Sequence, residues 1–152
     1  MLREKFKEKL KEAMLAKNGV ALSTIRLISA SLKDADIAAR SKGNADGISE
    51  DEILSMLQTM VKQRRESITL YERGGRDDMA EREAAEITVI ESFLPRQMTA
   101  DEIAEAVAAT IKELDAGELK DMGRVMGRMK ELYAGQMDFG QASGLVKEKL
   151  MS

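Results

Sequence analysis

Residues 61–98 read VKQRRESITLYERGGRDDMAEREAAEITVIESFLPRQM, and this stretch decides the fold. Val61, Ile68 and Tyr71 recur at helical spacing up to the pair Gly74-Gly75. Beyond it, Ala80, Ala84, Ile87, Ile90 and Leu94 recur at steps of three and four. Such steps gather apolar side chains on one side of a helix, where a strand would alternate them. The glycine pair stops the first helix, because glycine is favoured just past a helix end. Asp77 and Asp78 then fall in the first turn of the next helix, where negative charge meets the positive end of the dipole. Pro95 disfavours helix at Leu94 and closes the stretch.

The same reading extends toward the N-terminus. Ser49 followed by Glu52 matches a capping box, so the helix containing Leu54, Leu57 and Val61 starts there and runs to about Arg73, with Arg64 at a missing apolar step. Residues 41–47 (SKGNADG) read as a loop. A helix over residues 21–40 uses Ile25, Ile28, Leu32, Ala35 and Ala39. Another, over residues 2–17, uses Phe6, Leu10, Ala13 and Met14 and stops at Asn18-Gly19. Toward the C-terminus, Thr99 and Glu102 form a second capping box. Its helix carries Ile103, Val107, Ile111 and Leu114 to a turn at residues 115–117. A helix over residues 120–133 carries Met122, Val125, Met126, Met129 and Leu132. Asp138 can cap the last helix, whose inward side is Phe139, Ala142, Leu145, Val146 and Leu150. The expected fold is all-α, with a four-helix region over residues 1–95 and a small three-helix bundle over residues 96–152.

Composition agrees. Apolar residues make up 43% of 152, aromatics only 3%, and one proline leaves the helices unbroken; 11 methionines fill much of the interior. The chain holds no cysteine and no histidine, which excludes disulfides, thiol nucleophiles, Cys/His zinc sites and imidazole base catalysis. No metal, no cofactor and no catalytic residue is expected. No apolar run approaches the ~20 residues of a membrane span, so no membrane partner is expected either. The segment MLREKFKEKLKEAM lacks the apolar middle of a signal peptide, so the expected location is cytoplasmic.

The net charge of −3 is unevenly spread. Residues 1–47 hold 10 basic and 6 acidic groups, residues 48–95 hold 6 and 11, and residues 96–152 hold 8 and 10. A polyanion site must therefore be a local patch. The leading candidate is Lys120, Arg124 and Arg128, spaced every four residues along one side of a helix, with Lys130 and, on the last helix, Lys147 and Lys149. A fixed row of cations can follow a phosphate backbone without reading sequence. Asp121, Glu131 and Glu148 dilute it, and an ordinary solvated face is the plain alternative. A second basic cluster is Lys62, Arg64 and Arg65. Arg64 lies on the apolar stripe, where a bare charge is costly, so pairing with Glu86 or Glu91 competes with phosphate contact. Gly123 and Gly127, four apart inside a helix, each cost about 1 kcal/mol relative to alanine. Close packing on a neighbouring helix is the expected reason, and room for an RNA backbone or partner helix the other. Glu81, Glu83, Glu86 and Glu91 read as a solvated acidic face.

Several of these stretches resemble one family. IRLISASLKDADI (residues 25–37) is similar to the Arg-Leu…Leu-Lys…Glu-Ile signature of the GatB/YqeY family, with Asp36 where Glu is usual. Residues 61–98 resemble its most recognisable block. KDMGRVMGRMKELYAG (residues 120–135) resembles its Gly-x-x-Met-Gly helix, and LVKEKL (residues 145–150) its closing helix. The order is the family's and nearly the whole chain is covered, as in the free-standing YqeY members. In this family the tail module also ends the B subunit of glutamine-dependent tRNA amidotransferase. The resemblance therefore implies an accessory to that carbon–nitrogen ligase machinery, handling tRNA or the complex through its tail and without catalysis of its own. A protein-interaction module that binds no nucleic acid is the competing expectation.

Overall fold

The computed structural model describes residues 1–151, which are helical and contain no strand. The chain divides into two compact units, Met1–Leu94 and Pro95–Ser152. The first holds α1 (Leu2–Leu15), α2 (Gly19–Ser41), α3 (Glu50–Arg73) and α4 (Asp77–Glu91).

Local chemistry sets the boundaries. Lys17 takes a left-handed φ of 54° and ends α1. Asn18 then starts α2 at once, its side chain accepting a hydrogen bond from the Ala21 amide at 3.2 Å. The Ser49 hydroxyl accepts from the Glu52 amide at 3.2 Å, and the Glu52 carboxylate accepts from the Ser49 amide at 3.3 Å. That reciprocal pair is the capping box that opens α3.

The core of this unit collects Phe6, Ile25, Ile28, Ile53, Leu57 and Ile90, with Phe93 just past α4. Phe6 and Phe93 meet edge to face, their centroids 4.9 Å apart and their planes at 80°, the arrangement favoured by aromatic quadrupoles. The buried stripe of α3 differs from the expected one. Ile53 and Met60 are buried with Leu57 and Val61, whereas Tyr71 is only half-buried.

A polar cluster joins three separate segments. Arg3 lays its guanidinium on the Asp36 carboxylate, with Nη2 2.9 Å from Oδ1, and also donates to the Ile48 carbonyl at 2.8 Å. The Ile48 amide donates to Asp36 Oδ1 at 2.9 Å. Arg3 holds the buried Asp36 carboxyl down at about 2, and the Ile48 amide adds to the shift against the opposing effect of burial. The cluster fixes the start of α1 and the loop before α3 onto α2.

The second unit holds α5 (Ala100–Glu113), a single 3₁₀ turn (Leu119–Asp121), α6 (Met122–Tyr133) and α7 (Phe139–Met151). Thr99 and Glu102 form the capping box of α5. Its core is Ile103, Val107, Val125, Met129, Met137, Ala142 and Val146. Gln97 and Met98 tie the entering chain to the α6–α7 turn: Gln97 Nε2 donates to the Gly135 carbonyl at 2.6 Å and the Met98 amide to the Gln136 carbonyl at 2.8 Å. Val125 and Met129 are one turn apart, so α6 buries this side and turns the opposite one to solvent.

Candidate nucleic-acid interface

The outward side of α6 carries Gly123, Arg124, Gly127, Arg128 and Glu131, with Lys120 just before it, at steps of three and four. Lys120, Arg124 and Arg128 therefore share one face, as their four-residue spacing implies. The face is not a row of bare cations, however. Arg124 donates from Nη1 to the Leu114 carbonyl at 2.9 Å and from Nη2 to Asp121 Oδ1 at 3.2 Å. Arg128 reaches Glu113 Oε1 at 3.1 Å and Glu131 Oε2 at 3.2 Å. Lys120 lies 3.0 Å from Glu118.

Two causes combine. Spacing of i to i+3 sets Asp121 beside Arg124 and Glu131 beside Arg128. Tertiary packing then brings the C-terminal end of α5, with Glu113 and the Leu114 carbonyl, against the same guanidinium groups. The electrostatics follow. The Gly117 and Glu118 amides, with Arg124, hold the Asp121 carboxyl below its ordinary range. Glu131 and Glu113 push Arg128 above its own. The cationic side chains nonetheless stay open to solvent, at 79% for Lys120, 51% for Arg124 and 37% for Arg128. Lys130, Lys147 and Lys149 are exposed as well, and Lys130 and Lys147 meet no carboxylate among the described residues.

The two glycines overturn their expected role. A Cβ placed on Gly123 or Gly127 would meet nothing within 4 Å. Neither glycine packs on α5 or α7; both face solvent, because the side of α6 that packs inward is the one carrying Val125 and Met129. Gly123→Ala and Gly127→Ala are each expected to stabilise the second unit by roughly 0.5–1 kcal/mol, since alanine restricts the unfolded chain and fills empty space. Thermal or urea unfolding followed at α6 checks this, and a loss of stability would show that the glycines are needed for packing.

The cluster Lys62, Arg64 and Arg65 has a structural explanation. Arg64 is only 14% exposed and donates to Glu86 at 3.0 Å and to the Met60 carbonyl at 3.2 Å. Arg65 reaches Glu91 at 3.5 Å, and Lys62 projects into solvent. Glu83, Glu86 and Glu91 of α4 thus pair with α3 in place of the expected solvated acidic face, Glu81 stays exposed, and Glu86 is the nearest partner of the arginine on the apolar stripe. Among the described residues, no group of three or more acidic side chains is arranged to hold a metal ion, and no helix is long and apolar enough to cross a membrane.

A match to the family described as Yqey-like protein runs over residues 3–150. The chain belongs to the YqeY family. Similar relatives are proteins named "Altered inheritance of mitochondria protein 41, mitochondrial". The one from Eremothecium gossypii is 36% identical over 71% of this chain and 58% of its own length. That from Pyrenophora tritici-repentis is 32% identical over 84% of this chain and 68% of its own. That from Clavispora lusitaniae is 30% identical over 94% and 81%. The chain thus spans little more than half the length of the first of these YqeY relatives. Their names correct the cytoplasmic expectation, since these relatives are mitochondrial. That expectation rested on the missing apolar middle in residues 1–14, which bears on secretion and does not separate cytoplasm from mitochondrion.

Proposed function

We propose that this YqeY-family chain is a non-catalytic accessory of the glutamine-dependent tRNA amidotransferase machinery that contacts tRNA through the outer face of α6. The observation that carries this reading is the openness of Gly123 and Gly127. Two helix-interior glycines that no other described residue packs against leave a trough about one helical turn long, with Arg124 and Arg128 along one edge of it. A phosphate backbone can lie in such a trough close to the helix, with two forked guanidinium donors along that edge. The existing ion pairs do not forbid this. Exposed pairs contribute about 0–1 kcal/mol, so a phosphate can take the place of Asp121 or Glu131. Lys120 and Lys130 add charge at the ends of the same face. The amide-transfer chemistry belongs to the larger partner, as this chain has no cysteine or histidine to supply it.

The test is a tRNA-binding titration at two salt concentrations. Wild-type affinity should fall by roughly tenfold between low and moderate salt, as the counterions of about three phosphates are released. Arg124→Glu/Arg128→Glu should weaken binding at least tenfold. Gly127→Leu should abolish it while the helix content is kept. A wild-type affinity untouched by all three changes sinks the reading. The intramolecular pairing of the arginines, with Leu119 and Leu132 exposed nearby, favours a second reading in which a protein docks on this face. In that case Gly127→Leu would block a nuclease-resistant complex and salt would matter little.

A further inference from the structure

The first unit carries a second surface, independent of the one on α6. The buried side of α2 holds Ile25, Ile28, Leu32, Asp36 and Ala39. On the opposite side lie Val20, Leu27, Ala30 and Ile37. The three larger ones remain 44%, 46% and 51% exposed. Along one border of this stripe run Arg26, Lys33 and Arg40, seven residues apart. All three are exposed, and none forms an ion pair with a carboxylate among the described residues. Arg40 donates only its Nε, to the Ala45 carbonyl at 3.3 Å. Leu32 and Asp36, from the same stretch, are accounted for by the interior; Arg26, Leu27, Lys33 and Ile37 have no role within the unit.

We infer that this face of α2 is a docking surface for an amphipathic helix of a protein partner whose apolar seam is bordered by acidic residues. A seven-residue repeat places the cations about 10.5 Å apart on one edge, the register in which flanking charges of paired helices meet. Leu27 and Ile37 argue for a helix over a phosphate backbone, which would gain nothing from covering them. Asp34 falls within the stripe between these two residues. The partner's seam therefore carries one basic or amide residue opposite Asp34, a polar contact that fixes register.

The probe is a labelled synthetic helix of about four heptads with a leucine seam, one seam lysine and glutamate flanks, titrated into the full chain by fluorescence anisotropy. Its counterpart has lysine flanks. The glutamate peptide should bind saturably at least tenfold more tightly than the lysine peptide. Arg26→Glu/Lys33→Glu/Arg40→Glu should reverse that order. Leu27→Ser/Ile37→Ser should abolish binding of both, with an unchanged helical spectrum showing that the fold is kept. Equal binding of the two peptides, or no effect of the triple reversal, overturns the inference. So does preferential binding of tRNA or phosphatidylserine vesicles at these cations, which would make the face a phosphate reader. The α6 variants should leave peptide binding unchanged, which separates this outcome from that of the tRNA test.

Discussion

Gly47→Ala is expected to destabilise the first unit by about 3 kcal/mol or more. Gly47 adopts a φ of +82°, open to glycine and strained for alanine. Its added Cβ would sit 2.3 Å from Asp36 Oδ1 and 2.7 Å from Cγ, far inside contact distance. Asp36 cannot retreat without giving up Arg3 and the Ile48 amide, and its side chain is only 8% exposed, so a displaced carboxylate stays dehydrated. A double-mutant cycle isolates the cause. In an Asp36→Ala background the two clashing atoms are gone and only the residue-36 Cβ remains close, at 3.2 Å, so Gly47→Ala should cost only about 1 kcal/mol, chiefly for the strained backbone. Equal cost in both backgrounds would remove Asp36 from the explanation. The same carboxylate gives a pH signature. Its folded pKa of about 2 lies below its ordinary 3.8. The stabilisation, about 2 kcal/mol, is fully present above pH 4 and is lost as pH falls toward 2. The stability gap between wild type and Asp36→Asn should close over that window.

What the sequence made legible follows from the range of the interactions involved. Capping boxes are written within four residues, and both Ser49/Glu52 and Thr99/Glu102 bond as their spacing implies. Apolar periodicity placed the helices to within a few residues, and the all-helical fold with them. It was less able to orient each helix about its axis. On α3, a rotation of one position exchanges Leu54 for Ile53 as the fully buried residue. On α6, Leu132 emerges exposed although it follows the same pattern as Met129. Contacts between distant segments carried no local signal. Arg3 and Asp36 are 33 residues apart, and Arg128 and Glu113 are 15 apart. A row of cations could therefore be read at four-residue spacing, while the Glu113 carboxylate and the Leu114 carbonyl that meet it from the end of α5 could not. The glycines of α6 failed for a related reason. Glycine in a helix is compatible with a close approach, and the sequence does not say whether any part of the chain makes one.

Met129→Ala is expected to have the largest effect on the second unit, and it tests how the α6 face is held. Met129 is fully buried among Val107, Val125 and Val146. Truncation removes its transfer free energy and leaves a cavity, together about 2–4 kcal/mol. A unit of fewer than 60 residues has a small core and little stability in reserve. Hydrogen exchange at α5–α7 amides should therefore approach the unprotected rate, while amides in the core of α2 and α3 keep their protection. Because Arg124, Gly127 and Arg128 stand on the reverse side of the same helix, the proposed tRNA binding should weaken along with protection. Gly123→Ala/Gly127→Ala added to Met129→Ala should restore about 1–2 kcal/mol, since the glycines and Met129 occupy opposite faces and share no partners. Recovered protection without recovered tRNA affinity is the expected pair of results. It would mean that the glycine trough is kept for a ligand at the expense of helix stability. Recovery of both would mean that an intact α6 suffices and that the open glycines have no part in binding.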